Sequence, residues 1–442
     1  MPNNTPEVWG GLECSYNRIE GNYADQLDYC GHYRRGILDI QYIAQLGVKA
    51  LRYPVIWERY HDPTDLSWSW LTRQLNALRY YKITPIAGLL HHGSGPIHAS
   101  LNDSSFPNEL EKHATRVAQT FPWLEYFTPI NEPLTTARFC GLYGFWYPHL
   151  KNPKSFAEML LNEMKAVVLA MNAIRKIIPL AKLIQTEDLG KTFSTKLLQY
   201  QADFENERRW LTNDLLCGFV KPGHAMWDYF LWLGIPQKTL EFFLQYPCTP
   251  DIIGVDYYLT SERFLDETPG KYPSHTYGSN GKHCYADVEA IRVQHGEEHG
   301  PKVLLKECWE RYKIPIAITE IHIHGTPEEQ IAWFSYLWST CLQLIRQGID
   351  IRATTAWAMF GSYGWSKLLT ENPGEYERGV FDVSSGRPIN TAYTDFLRSL
   401  IKNPKEPSSS IPGWWQLSER FLFDEKVEMI GNKRNIRNVN KS

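Results

Sequence analysis

Tyr126-Phe127-Thr128-Pro129-Ile130-Asn131-Glu132-Pro133 is a strand-like apolar run closed by a carboxylate, and Pro315-Ile316-Ala317-Ile318-Thr319-Glu320 repeats the arrangement far along the chain. Both runs are short and bounded by proline, the pattern of a buried strand. Runs of the same kind lie at Val8 to Glu13, Val48 to Tyr53, Thr84 to Leu90, Tyr126 to Ile130, Lys182 to Thr186, Ile252 to Tyr257, Ile316 to Glu320 and Thr354 to Trp357. Segments of helical period separate them, among them Tyr33 to Leu46, Trp70 to Tyr81, Asn108 to Thr120, Ser155 to Ile178, Glu328 to Gln347 and Thr391 to Leu400. Strands alternating with helices in this way predict an α/β fold, a single (β/α)8 TIM barrel, whose functional groups gather at the C-terminal strand ends. Glu132 and Glu320 close strands four and seven of that reading.

The chain of 442 residues, 43% hydrophobic, is long enough to bury one large core. The barrel is expected to span 1–402, with 403–442 as a C-terminal extension in which Trp414 and Trp415 pack back on the barrel and the polar end frays. Two long loops, Thr192 to Pro250 after strand five and Thr260 to Arg311 after strand six, are expected to shape the pocket; the first reads as helical and aromatic, the second as loop-like. A net charge of -3 gives no general attraction to phosphate backbones or anionic lipids, so no nucleic-acid partner is expected. Apolar runs are too short for a membrane span, and the N-terminus lacks a secretory pattern, so the expected location is cytoplasmic. The eight cysteines are scattered without metal-ligand spacing and read as buried free thiols. Aromatic residues make up 14% of the chain, and flat rings with a polar edge suit sugar faces as well as cores. Oligomeric state is not legible.

Paired carboxylates at strand ends suit acid/base and nucleophilic work on a glycosidic bond. Retaining hydrolysis needs one carboxylate to attack the anomeric carbon and a second carboxyl to protonate the leaving oxygen and then activate water. Asn131-Glu132-Pro133, Ile318-Thr319-Glu320, and Trp357 followed by Trp365 resemble glycoside hydrolase family 1, the β-glucosidase family of retaining barrel enzymes. The likeness extends through Trp9-Gly10, Ile19-Glu20-Gly21, the stretch from Leu46 to Tyr53, Trp57, and Gly254-Val255-Asp256-Tyr257-Tyr258. The stretches His91 to Pro96 and Asn131 to Phe139 resemble an outlying bacterial branch often fused to a nucleotide-sugar reductase domain similar to dehydrorhamnose reductase; no dinucleotide fingerprint followed by such a domain occurs here.

The resemblance implies Glu132 as acid/base and Glu320 as nucleophile. It further implies that Asn131 and His92 bind sugar hydroxyls, that Tyr258 stands beside the nucleophile, and that Trp357 is the platform beneath the sugar. Arg52, at the end of strand two, is placed to pair with Glu320. His91 reads as a packing neighbour, and Glu13 as a carboxylate able to replace lost sugar contacts. The departures are Gly93 where the family has tryptophan, Gly364 where it has a glutamate before Trp365, and Arg18 beside Asn17 where it has glutamine; the glycines suggest room for a larger sugar. Glu187-Asp188 near His91 and His92 lack metal-ligand spacing, the charged run Asp203 to Trp210 reads as a solvated helix face, and His322 and His324 as loop lining. The expected activity is retaining β-glycosidase without metal or cofactor, acting on a carbohydrate or glycoside. The alternatives are a transglycosylase with the same pair and a carbohydrate-binding or scaffold protein with little turnover.

Overall fold

The computed structural model describes residues 5–19, 21–62, 66–404 and 412–418. Eight parallel strands close into a barrel: β1 (Glu7–Gly11), β2 (Ala50–Pro54), β3 (Thr84–Gly88), β4 (Tyr126–Thr128), β5 (Lys182–Asp188), β6 (Ile252–Asp256), β7 (Ile316–Ile321) and β8 (Ile351–Ala356). Each strand lies beside its sequence neighbours, and β1 closes the ring by pairing with both β2 and β8. Helices Ile37–Leu46, Ser67–Tyr80, Phe106–Thr120, Pro153–Ile177, Pro301–Tyr312, Pro327–Arg346 and Ala392–Lys402 lie between or after the strands. Trp9, Ala50, Ile86, Ile184, Ala317 and Ala353 form one core inside the barrel. A second, larger core joins strands to helices, which is why the strands read as nearly continuous apolar runs.

Several boundaries differ from the sequence reading. β1 ends at Gly11, so Glu13 lies beyond the strand. β4 stops at Thr128, before Pro129, which has no N–H to continue the ladder; the chain still forms a single bridge between His91 and Asn131. The helix expected from Tyr33 is broken at Gly36, and Ile37–Leu46 is its regular part. The loop expected up to Arg311 ends in helix Pro301–Tyr312, while Arg263–Asp266, Tyr277–Ser279 and Cys284–Glu289 form a small sheet with Thr192–Ser194 from the other long loop. Pairing between the two loops, invisible to local periodicity, makes this second layer. The charged run opens as helix Gln199–Arg208, whose Glu205 and Asn206 bond Thr192.

All eight cysteines are free, but Cys284 is exposed and Cys217 half-buried, against the expectation of burial throughout. Trp415 is buried with its ring 5.2 Å from that of Trp333, and Trp414 lies under Arg292. The expected frayed end, like Glu20 of the Ile19-Glu20-Gly21 motif, lies outside the described residues. Among the described residues no helix is long and apolar enough to cross a membrane.

Candidate active site

At the C-terminal rim of the barrel, Glu132 follows β4 with φ 44°, a left-handed conformation unusual for a residue with a side chain. The turn is held from several sides. Glu132 N–H donates to Thr186 O at 3.2 Å, and its carbonyl accepts Thr136 N–H at 2.9 Å. Pro133 starts the short helix Pro133–Ala137, whose first N–H groups, Leu134 and Thr135, donate to Glu187 at 2.8 and 3.2 Å. The hydroxyls of Thr135 and Thr212 also donate to Glu187. Glu187 is therefore the anchor that fixes the turn. Neighbouring Asp188 accepts the Ser261 hydroxyl and lies 3.9 Å from Arg138.

Glu320 lies in β7, directly opposite Asp256 at the end of β6, after a register irregularity between Ile318 and Glu320. Its Oε1 accepts Arg52 Nη1–H at 2.7 Å, and its Oε2 accepts the Tyr258 hydroxyl. Arg52 also donates to Thr319 O at 2.9 Å and to Asn131 Oδ1 at 2.5 Å, and stands 4.7 Å over the Trp357 ring. Thr186 donates to the same Asn131 oxygen, leaving the Asn131 amide nitrogen 3.5 Å from His91 and 3.4 Å from His92. Asn131, Arg52, Tyr258 and Glu320 thus form one connected network across four strands.

Glu132 and Glu320 are 4% and 2% exposed, and Asp256 is fully buried. The three carboxylates each bring an oxygen within 4.8 Å of the others, a grouping with the spacing of a cation site. The cation found among them is Arg52, on Glu320 and 3.8 Å from Asp256. Burial, then the charges of Asp256 and Glu320, push the Glu132 carboxyl well above its ordinary range. Burial and Asp256 push Glu320 the same way, but Arg52 and Tyr258 oppose the rise. Among the described residues, Glu132 has the His92 ring, 3.7 Å away, as its possible counter-charge. Burial and the charge of Arg52 lower the His92 imidazole to about 3, so it is neutral; His91 is lowered too, by burial, His92 and Arg52. Arg52 and Tyr258 thus favour the charged form of Glu320, and no such pair of donors meets the Glu132 carboxyl among the described residues.

The aromatic residues assemble around these groups. His91 stacks on Trp357 with centroids 5.5 Å apart, and Trp365 packs against His92. Glu13 lies 3.9 Å from His91, accepts from Ser15, and is raised by burial against the opposing influence of Ser15 and the indoles of Trp365 and Trp357. His322 hydrogen-bonds the Trp357 carbonyl through Nδ1 and faces Glu377, as does the exposed His324.

The surroundings of the three sequence departures account for them, and for the two glycines differently from the expected room for a larger sugar. The space at Gly93 is not free: a Cβ there would stand 1.9 Å from Glu58 Oε1, so a second buried carboxylate fills the gap. Gly364 has φ 77° and packs against the 371–374 turn, so backbone conformation, not room for sugar, requires glycine. Arg18 donates to the carbonyls of Gly95, Pro96 and Ala99 and lies over the Tyr147 ring, clamping a loop. Sequence reasoning assigned no role to Asp256, Glu58 or Trp146, which packs between His92 and Trp365. For Asp256 a signal was present, since it is a carboxylate at the C-terminal end of an apolar strand-like run, as Glu320 is; for Glu58 and Trp146 no local pattern existed.

No family model matches the chain. An aryl-phospho-β-D-glucosidase of Bacillus subtilis, BglC, is 20% identical over 391 residues, 76% of this chain and 78% of that protein. The family 1 β-glucosidase of Thermotoga maritima superposes with a TM-score of 0.71 at 15% identity, over 91% of this chain and 98% of that one. The same enzyme in complex with cyclophellitol gives a TM-score of 0.73 at 16% identity, with the same coverage. The fold is that of a (β/α)8 barrel, family 1 glycoside hydrolase-like.

Proposed function

We propose that this chain is a retaining β-glycosidase in which Glu320 is the nucleophile and Glu132 the acid/base. The observation that carries the reading is the asymmetry of a close carboxylate pair. Their oxygens lie within 4.8 Å, the spacing of a retaining rather than an inverting pair, and only Glu320 is held by a guanidinium and a hydroxyl. In the first step Glu320 attacks the anomeric carbon while Glu132 gives its proton to the departing glycosidic oxygen. In the second, Glu132 takes a proton from water as that water attacks the anomeric carbon and releases Glu320. Asn131, whose oxygen is occupied by Arg52 and Thr186, directs its N–H groups toward the substrate side and binds the sugar next to the bond being broken.

The relative from Bacillus is named for a phosphorylated substrate. Here Arg52 is engaged by Glu320 and Asn131, and Arg18 by backbone carbonyls, while Glu13 adds a buried carboxylate. An uncharged sugar fits such surroundings better than a phosphate, which would meet like charge. An activated 2-fluoro glycoside tests the reading: it should label Glu320, and Glu320→Ala should abolish labelling. Failure of a broad panel of activated α- and β-glycosides to give turnover or labelling, with sugars still bound, would leave a binding protein instead. Product analysis with added acceptor alcohols separates hydrolysis from transglycosylation.

A further inference from the structure

Glu132, Glu320 and Asp256 bring three buried carboxyls together around one guanidinium, and their hydrogen bonds do not fall evenly. Glu320 has Arg52 and Tyr258. Asp256 has the Thr319 hydroxyl on Oδ1 at 2.6 Å, while Oδ2 is buried without a hydrogen-bond donor. Glu132 receives no direct donor at its carboxyl among the described residues, and one of its oxygens lies within 4.8 Å of an oxygen of Asp256. An unpaired buried acceptor beside an unpaired buried carboxyl is costly unless a proton lies between them. Strand register sets Asp256 beside Glu320 on β7 on one side and Asp188 on β5 on the other, so it cannot leave the cluster of carboxylates.

We propose that Asp256 is a positioning residue that shares one proton with Glu132, holding the acid protonated before substrate arrives and making it a stronger base afterwards. The proposal rests on the reading of Glu132 as acid/base. In the resting site the Glu132 O–H donates to ionised Asp256. On substrate binding it turns to the glycosidic oxygen and transfers its proton there as the C–O bond breaks, and the alcohol leaves. Two carboxylates then face each other, and their repulsion favours return of a proton to Glu132 from the attacking water, whose oxygen bonds to the anomeric carbon. The other groups facing the pair are Arg52 from β2, Glu13 beyond β1, His91 and His92 beyond β3, Arg138 beyond β4, Glu187 and Asp188 on β5, Tyr258 beyond β6 and Glu320 on β7. Arg52 stands 3.8 Å from Asp256, and it is bound more tightly to Glu320, at 2.7 Å.

Asp256→Asn, which keeps the shape and removes the charge, is the test, with Asp256→Ser as a second variant should the amide impair folding. The alkaline limb of the kcat/KM profile should move down by about one pH unit, a tenfold loss at pH values above it, whatever happens to the plateau. Slow leaving groups should be affected more than activated ones. Infrared difference spectra on the intact protein give a readout independent of turnover: wild type should show a protonated-carboxyl C=O band at neutral pH that is lost in both Asp256→Asn and Glu132→Gln. An unmoved alkaline limb with a uniform fall in rate, or a band that survives Asp256→Asn, would overturn the proposal. If the wild type shows no turnover but the band behaves as described, the shared proton stands and the glycosidase reading falls.

Discussion

Replacing Glu58 with glutamine is expected to make stability less dependent on pH, by an amount that follows from where the carboxyl sits. Glu58 is buried beneath Gly93, accepts Gly95 N–H at 3.0 Å through Oε1 and has no partner on Oε2. Burial raises it from 4.5 to about 7, opposed by its backbone hydrogen bonds and by Arg18. Because the folded state binds this proton more tightly than the unfolded chain, the contribution to stability is fully present below the unfolded value. It is lost as pH rises from about 4.5 to about 7, and is flat above that. Between pH 5 and pH 8 the loss amounts to about 2–3 kcal/mol for one such group. Glutamine keeps the carbonyl that accepts Gly95 N–H but cannot titrate. Urea unfolding of both proteins at the two pH values measures the difference of differences, in which fixed packing effects cancel. Wild type should lose about 2–3 kcal/mol more than Glu58→Gln on going from pH 5 to pH 8. Equal losses would refute the assignment of a buried, proton-holding carboxyl at this position.

Three further outcomes are expected. Glu132→Gln should reduce kcat/KM for glycosides with poor leaving groups by about 10²–10⁴-fold while sparing strongly activated aryl glycosides, because general acid help matters least when the leaving group needs no proton. Equal loss across a leaving-group series would contradict the acid role. Glu187→Gln should cost about 1–3 kcal/mol of stability, since the carboxylate now serves Leu134, Thr135 and Thr212 donors on both oxygens and an amide NH2 cannot. It should lower kcat more than it changes KM, by loosening the Glu132 turn, and steady-state kinetics with denaturation curves check both. A nitrophenyl β-glycoside should be turned over at least about tenfold more efficiently than its 6-phosphate, because the buried site meets added negative charge with like charge; the reverse preference in paired assays would overturn the inferred substrate class.

The barrel was legible because its signal is local. Each strand is buried on both faces and reads as a short apolar run, and each crossover helix carries its own period. Element ends were less legible where one residue overrode the pattern, as at Pro129, which ends β4, and Gly36, which breaks the expected helix. The small sheet formed between the two long loops left no trace, because its pairing joins Thr192–Ser194 to Arg263–Asp266 across an intervening strand of the barrel.

For the site, the sequence by itself determined that two glutamates, an asparagine, an arginine and a tyrosine stand at strand ends, since strand ends in a closed parallel barrel must converge on one rim. Only the tertiary structure decided what stands next to what. It put Glu58, from the segment after β2, into the space of Gly93 on the loop after β3; it turned Arg18 onto backbone carbonyls; and it aligned Asp256 with Glu320 through a register irregularity in β7. The reason is physical. Strand periodicity specifies which face a side chain takes, whereas the charge balance of a buried cluster depends on distances of a few ångströms between residues far apart in the chain.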